Sequence, residues 1–336
     1  VLFLQTDELR LYFVEANDRQ NEYTRITTLK KIYQGDFDFL VVGVASFLRK
    51  YMPKKYYKQN KIDIDMSSKI DTDELSKKLV KLGYERTPKV EAKAEFSIRG
   101  SIIDIFSPDF ANPVRIELFD DEVDSIRYFD IFSQVSISKI EKISVINCRE
   151  YIYPDESERI DELSNLLEED ISQDIKAEIE KLQSKTYFTG MEKYLDYIYD
   201  EEDLSLFQFL DDCNFILYEP NQVVEMYESI YYQFIQNYET FRDKNLAIEE
   251  YKNIFYTKED FVYKLEKTNL ILITEIFSTI KKLKPKKISD INAKASPKYR
   301  GDLVHLVEDI KYFKSKNTKI LISLYDKDAV KNLEKA

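Results

Sequence analysis

The stretch of residues 95–130, "EFSIRGSIIDIFSPDFANPVRIELFDDEVDSIRYFD", decides the fold of the region around it. It reads as three strands joined by turns, with apolar and polar residues in alternation. Alternation with a period of two is typical of a sheet that has one face on a core and the other in water. We therefore predict an antiparallel, half-solvated sheet whose strands pair as a meander.

The second predicted strand carries a large aromatic ring on the face that should be wet. Successive side chains of a strand point to opposite faces, so two rows can be read directly from the sequence. The apolar row consists of Val114, Ile116 and Leu118. The opposite row is polar until its last member and consists of Arg115, Glu117 and Phe119.

The first predicted strand adds a second arginine to the same outer face. Phe96, Ile98 and Ile102 share an apolar row, and Arg99 points to the opposite side together with Ser101. If the strands pair as a meander, Arg99 converges with the arginine and the phenylalanine of the second strand.

Two interpretations of this outer face stay open from the residues alone. In one, the face is a covered edge, with Phe119 beneath a helix and Arg115 paired to Glu117 or to a hairpin acid, since single surface aromatics are ordinary. In the other, the face is a protein-binding hot spot, where arginine and aromatic side chains are enriched.

Strands that alternate with helices surround this sheet along the chain. Residues 36–51 predict a strand buried on both faces and then a helix. The theme recurs at Asn214–Tyr218 and the helical residues after it, and in "TNLILITEIFSTI" and "TKILISLYDKDAVKNLEK". This alternation favours a parallel α/β domain. The fold class is therefore α/β, with an α+β module inserted into the α/β domain.

Two helices are expected near the borders of the inserted module. Asp71, with Glu74 three residues later, resembles a capping box and opens a helix with a leucine stripe at Leu75, Leu79 and Leu82. After Pro154, an apolar stripe predicts one long helix. The members of that stripe are Ile160, Leu163, Leu167, Ile171, Ile175, Ile179 and Leu182.

Composition excludes several classes of protein. The 336 residues suggest two or three domains, and the net charge of −12 argues against a free-standing nucleic-acid binder, whose footprint would be basic. No run of 18 apolar residues and no signal peptide is present, so we expect a soluble cytoplasmic protein without a membrane partner. Because the chain starts at Val1 rather than Met, we expect it to be a piece of a longer protein.

The residue types needed for most catalytic and metal sites are scarce. Cys148 and Cys213 are far apart and are expected to be buried reduced thiols, and His305 lies alone in a helical pattern, so no zinc site is predicted. The six glycines do not have the spacing of a phosphate-cradling loop. We predict no catalytic and no metal-binding residues in this chain.

Two long stretches resemble a bacterial repair module. They are "GYERTPKVEAKAEFSIRGSIIDIFSP" at 83–108 and "PVRIELFDDEVDSIRYFDIFSQVS" at 113–136, followed by "REYIYP" at 149–154. The module is shared by the transcription-repair coupling factor family (Mfd) and the excinuclease subunit UvrB. The chain departs from the family pattern at Ala94, which replaces a glycine, and at Ser107, which shifts the proline of the pattern to Pro108.

The stretch "FILYEPNQVV" at 215–224 separates the two families. UvrB resembles a working helicase core with a Walker A loop and a DExH box. Here Glu219 remains, but Tyr218, Pro220 and Asn221 do not make a metal-holding box, so we expect a degenerate nucleotide site near Glu219. Such decay resembles Mfd, whose N-terminal part is a UvrB-like fold that has lost its ATP site.

The resemblance covers most of the chain and implies a domain organisation. Residues 1–62 would be the domain 1A-like part of a degenerate helicase-type parallel α/β domain that is split in sequence. Residues 63–150 would be the inserted UvrA-binding domain 2, with its antiparallel sheet. Residues 151–294 would be the domain 1B-like remainder, and residues 295–336 the start of the small domain 3.

The resemblance also implies a function, which is recruitment of the damage-recognition protein UvrA by the N-terminal module of a transcription-repair coupling factor. In this family, residues matching Arg99, Arg115 and Phe119 carry the UvrA contact. The arginines would fork onto UvrA carboxylates while the ring fills an apolar pocket, with Glu117 and Arg127 assisting.

The remaining activities of such a factor would lie outside this chain. The full-length protein resembles an ATP-dependent DNA translocase, so ATP, magnesium, RNA polymerase and duplex DNA belong to its further domains, and this chain needs no cofactor. An intramolecular contact with the C-terminal domain of the full-length protein is also implied.

Two alternative functions stay open. One is a UvrB-type excinuclease helicase subunit, against which the glycine spacing counts and which a nucleotide-binding assay would identify. The other is a structural or autoinhibitory clamp, which a pull-down with UvrA would separate from a recruiting module.

Overall fold

The structure is a computed structural model that describes residues 1–5, 19–155, 159–165, 171–201, 203–276, 283–291, 297–299, 301–322, 324 and 327–335. The chain divides into two compact units, Val1–Lys284 and Pro285–Ala336.

The first unit contains all twelve described strands and nine of the described helices. The strands are β1 (Leu2–Leu4), β2 (Leu40–Val42), β3 (Ile62–Asp65), β4 (Glu85–Arg86), β5 (Glu95–Arg99), β6 (Ile102–Ile105), β7 (Val114–Phe119), β8 (Glu122–Phe129), β9 (Ser136–Ile140), β10 (Lys142–Val145), β11 (Asn214–Tyr218) and β12 (Asn269–Ile273). The helices are α1 (Arg19–Gln34), α2 (Val44–Leu48), α3 (Lys54–Gln59), α4 (Thr72–Lys81), α5 (Arg159–Asn165), α6 (Gln173–Gln183), α7 (Leu195–Ile198), α8 (Pro220–Arg242) and α9 (Lys258–Glu266).

A six-stranded sheet with the order β4-β5-β6-β7-β8-β9 forms the centre of the region that the sequence singled out. β4 pairs with β5 in parallel, and every later neighbour is antiparallel, which confirms the predicted meander. Residues 95–130 contribute four strands rather than the three predicted. The difference arises at Gly100 and Ser101, which turn the chain between β5 and β6; Gly100 has φ +61, a conformation open to glycine at little cost.

A helix and a second, smaller sheet complete the region of the inserted module. β3 and β10 pair antiparallel, so both ends of the segment 62–145 lie together. Asp71 is the N-cap of α4, as predicted, and its carboxylate accepts hydrogen bonds from the backbone N–H groups of Asp73 and Glu74. Leu75 and Leu79 on α4 are buried in the same apolar core as the inner face of the six-stranded sheet.

Two pairs of parallel strands confirm the mixed α/β class. β1 pairs with β2, and β11 pairs with β12, in each case in parallel. β11 is followed at once by the long helix α8, as predicted. The prediction of strands buried on both faces is wrong, because in the described part of the chain one face of each pair stays open. The side chains on these open faces include Phe3, Val41, Ile216, Tyr218 and Ile271.

The predicted long helix after Pro154 is divided into α5 and α6. Ile171 and Ser172 are not helical, and the Ser172 hydroxyl caps α6 by accepting a hydrogen bond from the N–H of Ile175. A serine in this position begins a helix rather than continuing one. Leu167, which the predicted stripe included, lies outside the described residues.

The second unit contains α10 (Leu303–Ser315) and α11 (Lys327–Lys335). Asp302 caps α10, and His305 lies on its exposed first turn beside the Asp302 carboxylate. The pattern "TKILISLY" predicted a strand before α11, but its described residues, 318–322 and 324, form none. The helix predicted after β12 falls largely on residues 277–282, outside the described part of the chain.

Candidate protein-binding face

The alternation along β7 places its side chains on two chemically different faces of the sheet. Val114, Ile116 and Leu118 are buried, whereas Arg115 and Glu117 are half-buried and Phe119 is exposed. The sequence predicted this division. We call the side that carries Arg115, Glu117 and Phe119 the outer face.

Strand pairing extends the outer face across the neighbouring strands. Side chains of directly paired residues lie on the same face of an antiparallel sheet. One transverse row of the outer face consists of Arg99, Ile102, Glu117 and Ser125, and the next row consists of Ser97, Asp104, Arg115 and Arg127.

The placement of Ile102 corrects one of the predicted rows. The sequence put Ile102 on the apolar face with Phe96 and Ile98, but Ile102 pairs with Arg99 and lies on the outer face. The cause is the two-residue turn at Gly100 and Ser101. The alternation of side chains between the two faces does not continue through this turn, so the face of Ile102 is set by its pairing with Arg99. Ile98 instead pairs with the buried Ile103.

Asp104 links the two arginines that the sequence selected. Its side chain is 1% exposed and accepts a hydrogen bond of 2.6 Å from Arg99 Nη2 at Oδ2. It also accepts two from Arg115, 2.6 Å from Nε at Oδ1 and 2.9 Å from Nη2 at Oδ2. We call Arg99, Asp104 and Arg115 the arginine–aspartate cluster. The prediction that these arginines come together on one face therefore agrees with the structure.

The sequence reasoning missed Asp104, although a signal was present. Asp104 is a single acid between Ile103 and Ile105, which are fully buried. A buried carboxylate normally needs a charged or hydrogen-bonding partner, and the nearest candidates were the two arginines already named.

Arg115 is held on several sides by its own domain. Its guanidinium lies over the Phe129 ring, 4.4 Å from the ring centroid, and Nη2 also donates a 2.9 Å hydrogen bond to Gln134 Oε1. The hydrogen bonds to Asp104 raise the pKa of Arg115 further above its ordinary range. The covered-edge interpretation proposed Glu117 or a hairpin acid as the partner of Arg115. Arg115 is not paired to Glu117, but Asp104 is an acid on the adjacent strand of the β6–β7 hairpin.

Glu117 is instead paired with Arg127 on the adjacent strand β8. Arg127 donates from both terminal nitrogens to the Glu117 carboxylate, one bond being 2.8 Å long, and Ser125 Oγ donates a third hydrogen bond of 2.9 Å. The hydrogen bonds from Arg127 hold the pKa of Glu117 below its ordinary value of 4.5.

Phe119 is the most exposed of the five predicted binding residues, with 79% of the residue accessible. It ends β7 beside the turn of Gly100 and Ser101, because the N–H of its neighbour Leu118 donates to the carbonyl of Ser101. No described helix covers the ring. The outer face thus combines five charged side chains that are paired with one another, Arg99, Asp104, Arg115, Glu117 and Arg127, with the ring of Phe119, which is left in water.

The predicted degenerate nucleotide site lies at the end of β11. Glu219 has φ +51 and immediately precedes the first residue of α8, Pro220. Its carboxylate accepts a 2.6 Å hydrogen bond from the N–H of Glu275 and a 3.5 Å one from Thr274 Oγ1. Glu219 is therefore occupied by the backbone and side chain of the segment after β12.

The described part of the chain holds no group of three or more His, Cys, Asp or Glu residues placed to bind a metal ion. Cys148 is a buried free thiol whose pKa is raised by burial, and Cys213 is a free thiol that is only half-buried. The predicted burial is therefore confirmed for Cys148 and wrong for Cys213. None of the helices traced in the described residues has the length and apolar character needed to cross a bilayer.

Comparison with known proteins identifies the central region. Residues 62–151 match the family model of the UvrB interaction domain. This range contains the six-stranded sheet, the arginine–aspartate cluster and Phe119, so the candidate face lies within the matched region.

The chain is also similar to proteins named transcription-repair-coupling factor. It is 27% identical to that of Bacillus subtilis over 99% of this chain and 29% of the relative. It is 32% identical to one from Staphylococcus epidermidis over 61% of this chain and 19% of the relative. The corresponding values for Myxococcus xanthus are 30%, 63% and 18%. The resemblance to this family is confirmed, and the chain spans less than a third of the length of these relatives.

Proposed function

We propose, from the similarity of this chain to transcription-repair-coupling factors, that it is the N-terminal UvrA-recruiting module of such a factor. In this role it would link a stalled RNA polymerase to nucleotide excision repair. The observation that carries the proposal is the exposed Phe119 beside ordered arginines, on the outer face of a matched UvrB interaction domain.

The geometry of the face supports recognition of an acidic partner surface with an apolar pocket. Arg99 keeps 40% of its side chain exposed, and a guanidinium can pair with a carboxylate through more than one N–H group. Phe119 would fill the pocket, since buried aromatic rings dominate the energetics of many interfaces. Glu117 and Arg127 lie in the same rows and would contribute at the rim.

We extend the proposal to the architecture. The α/β domain would be a degenerate helicase-type fold of the UvrB kind, split in sequence into 1–62 and 151–294, with 63–150 inserted and 295–336 beginning a further small domain. The parallel pairs β1–β2 and β11–β12, which lie on either side of the inserted segment in sequence, support this organisation.

The chain would act as a binding module without ATPase activity of its own. ATP, magnesium, duplex DNA and RNA polymerase would be bound by further domains of a cytoplasmic translocase. The occupied carboxylate of Glu219 supports this view. Saturable binding of ATP at micromolar concentration, measured by calorimetry, would instead favour a UvrB-type helicase subunit.

The proposal is tested by titrating UvrA into variants of this chain in a calorimeter. Phe119→Ala should weaken binding by about 30-fold, since a central anchor contributes about 2 kcal/mol or more. Arg99→Ala should weaken it in the same direction. The matched control is Phe132→Ala, which removes a ring that is 91% exposed in the same domain but outside the predicted contact.

The outcomes are distinct. Loss of affinity for Phe119→Ala with wild-type affinity for Phe132→Ala supports the proposed site. Wild-type affinity for both would refute it, and equal losses would show that UvrA binds a broader or different surface. The absence of any UvrA binding by the unaltered chain would leave the clamp interpretation as the better account.

A further inference from the structure

The arginine–aspartate cluster contains one member that no resemblance assigned to binding. Asp104 is a buried member of the outer face and accepts three hydrogen bonds from two arginines. We infer that Asp104 is a positioning residue, which orients Arg99 for the partner and uses Arg115 as an internal strut. The inference rests on the proposed function, because it concerns how that same face is prepared for UvrA.

Arg115 has the geometry of a strut rather than of a direct contact. Its Nε and Nη2 atoms, which form the side-on fork of a guanidinium, both donate to Asp104. Its side chain is only 14% exposed, and Phe129 and Gln134 hold the group from other directions. A fork that is already engaged inside its own domain cannot engage a partner carboxylate in the same way.

Arg99 has the complementary geometry. Nη2 donates to Asp104, and Nη1 donates a 2.9 Å hydrogen bond to the carbonyl of Pro88. The two bonds fix the plane of the guanidinium, while its other N–H groups make no hydrogen bond to the described residues. A long side chain that is ordered before binding loses less conformational entropy in the complex.

Asp104 could have the opposite effect on binding if it competed with the partner for the arginines. Removal of its charge would then free two cations and tighten the complex. Orientation and competition predict opposite signs, so one substitution separates them.

The test is the UvrA affinity of Asp104→Asn, which keeps the size of the side chain and removes its charge. We expect affinity to fall by about 10-fold, a loss typical of coupled charged groups at an interface. The matched control is Asp109→Asn in the same domain. Asp109 also pairs with a cation, because its carboxylate lies 2.7 Å from Lys30 Nζ, but it is outside the outer face. The UvrA affinity of the Asp109→Asn variant should therefore match that of the wild type.

A purely structural role is excluded by repeating the substitution in the Arg99→Ala background. If Asp104 acts through Arg99, Asp104→Asn should lower affinity about 10-fold in the parent and hardly at all in that background. Asp104→Asn should also lower the melting temperature in both backgrounds, because it weakens the contact with Arg115, which both retain. Equal affinity losses in both backgrounds, or tighter binding by Asp104→Asn, would overturn the inference.

Arg115→Lys provides a second variant if Asp104→Asn fails to fold. Lysine keeps the cation but cannot form the fork, so affinity should fall although the charge is unchanged. Wild-type affinity for this variant would overturn the inference. Phe119→Ala distinguishes the two levels of failure. If it binds UvrA normally the proposed function fails, and if it loses affinity while the Asp104 and Arg115 variants do not, only the inference fails.

Discussion

The two faces of the six-stranded sheet are built on opposite principles. On the inner face, Ile103, Ile116 and Val114 are fully buried and contribute through apolar area and close packing. On the outer face, Arg99, Asp104, Arg115, Glu117 and Arg127 are paired with one another, whereas the ring of Phe119 is left exposed. The charged groups therefore do not by themselves identify the candidate contact. Phe119 does, because it is an exposed apolar ring on a face whose neighbouring charges are paired.

Of the variants that test the difference between the two faces, Ile116→Ala is expected to have the largest effect on stability. Ile116→Ala should lower the free energy of unfolding by about 2–5 kcal/mol, because it opens a cavity in the core. Ile137→Ala removes the same atoms from a half-exposed position on β9 and serves as the control. Urea denaturation measures both. Similar losses for the two variants would contradict the assignment of the inner face.

Arg115→Ala should have the next largest effect on stability. The structure predicts a loss of about 1–3 kcal/mol, because the buried Asp104 carboxylate loses two of its three hydrogen bonds. Lys139→Ala removes an exposed cation from the same row and should change stability by less than about 0.5 kcal/mol. A melt of Arg115→Ala that matches the wild type would show that the arginine is not a strut.

Gly100→Ala tests the turn that aligns the two faces. The backbone at Gly100 has φ +61, and no atom lies within 4 Å of an added Cβ, so the effect should be backbone strain alone. We expect a loss of about 1 kcal/mol in the free energy of unfolding. Gly43→Ala, at an ordinary φ of −73, should cost less. A reversed order of the two variants in denaturation would contradict this account of the turn.

Glu117→Gln should have the smallest effect, visible in the pH dependence of stability. The folded protein holds the pKa of Glu117 below its ordinary value of 4.5, so its ionised form adds stability above that pH. This contribution is lost as the pH falls through the lower, folded value. The variant should be less stable than the wild type by about 0.5 kcal/mol at neutral pH and should decline less steeply below pH 4.5.

Thermal melts from pH 7 to pH 3 would measure this difference. Glu85→Gln, on the exposed strand β4, changes the same charge and provides the control. A decline as steep as that of the wild type would show that the pair with Arg127 does not contribute.

Local pattern predicted much of this sheet. The alternation in "VRIELF" assigned each side chain of β7 to the correct face, and the acid at Asp71 marked the start of α4. Both signals are carried by residues that are neighbours in sequence.

The failures have a common physical origin. Ile102 was assigned to the wrong face because the alternation of side chains between the two faces does not continue through a turn. Asp104 was missed because its partners are set by strand register, which is a non-local property. The long helix was overextended because an apolar stripe continues past Ser172, whose hydroxyl supports a helix start more strongly than the stripe supports continuation.

The two-residue turn between β5 and β6 determines which residues of β6 lie on the outer face, so even a one-residue insertion can change that assignment. Arg99 and Ile102 face each other across Gly100 and Ser101, and every residue of β6 inherits its side of the sheet from that spacing. If each inserted residue joined the pairing of β6 with β5, one added residue would bring Asp104 to the buried inner face in place of Ile103. Two added residues would return Ile103 to the inner face. An engineered extension of this hairpin should therefore add residues to the paired part of β6 in even numbers.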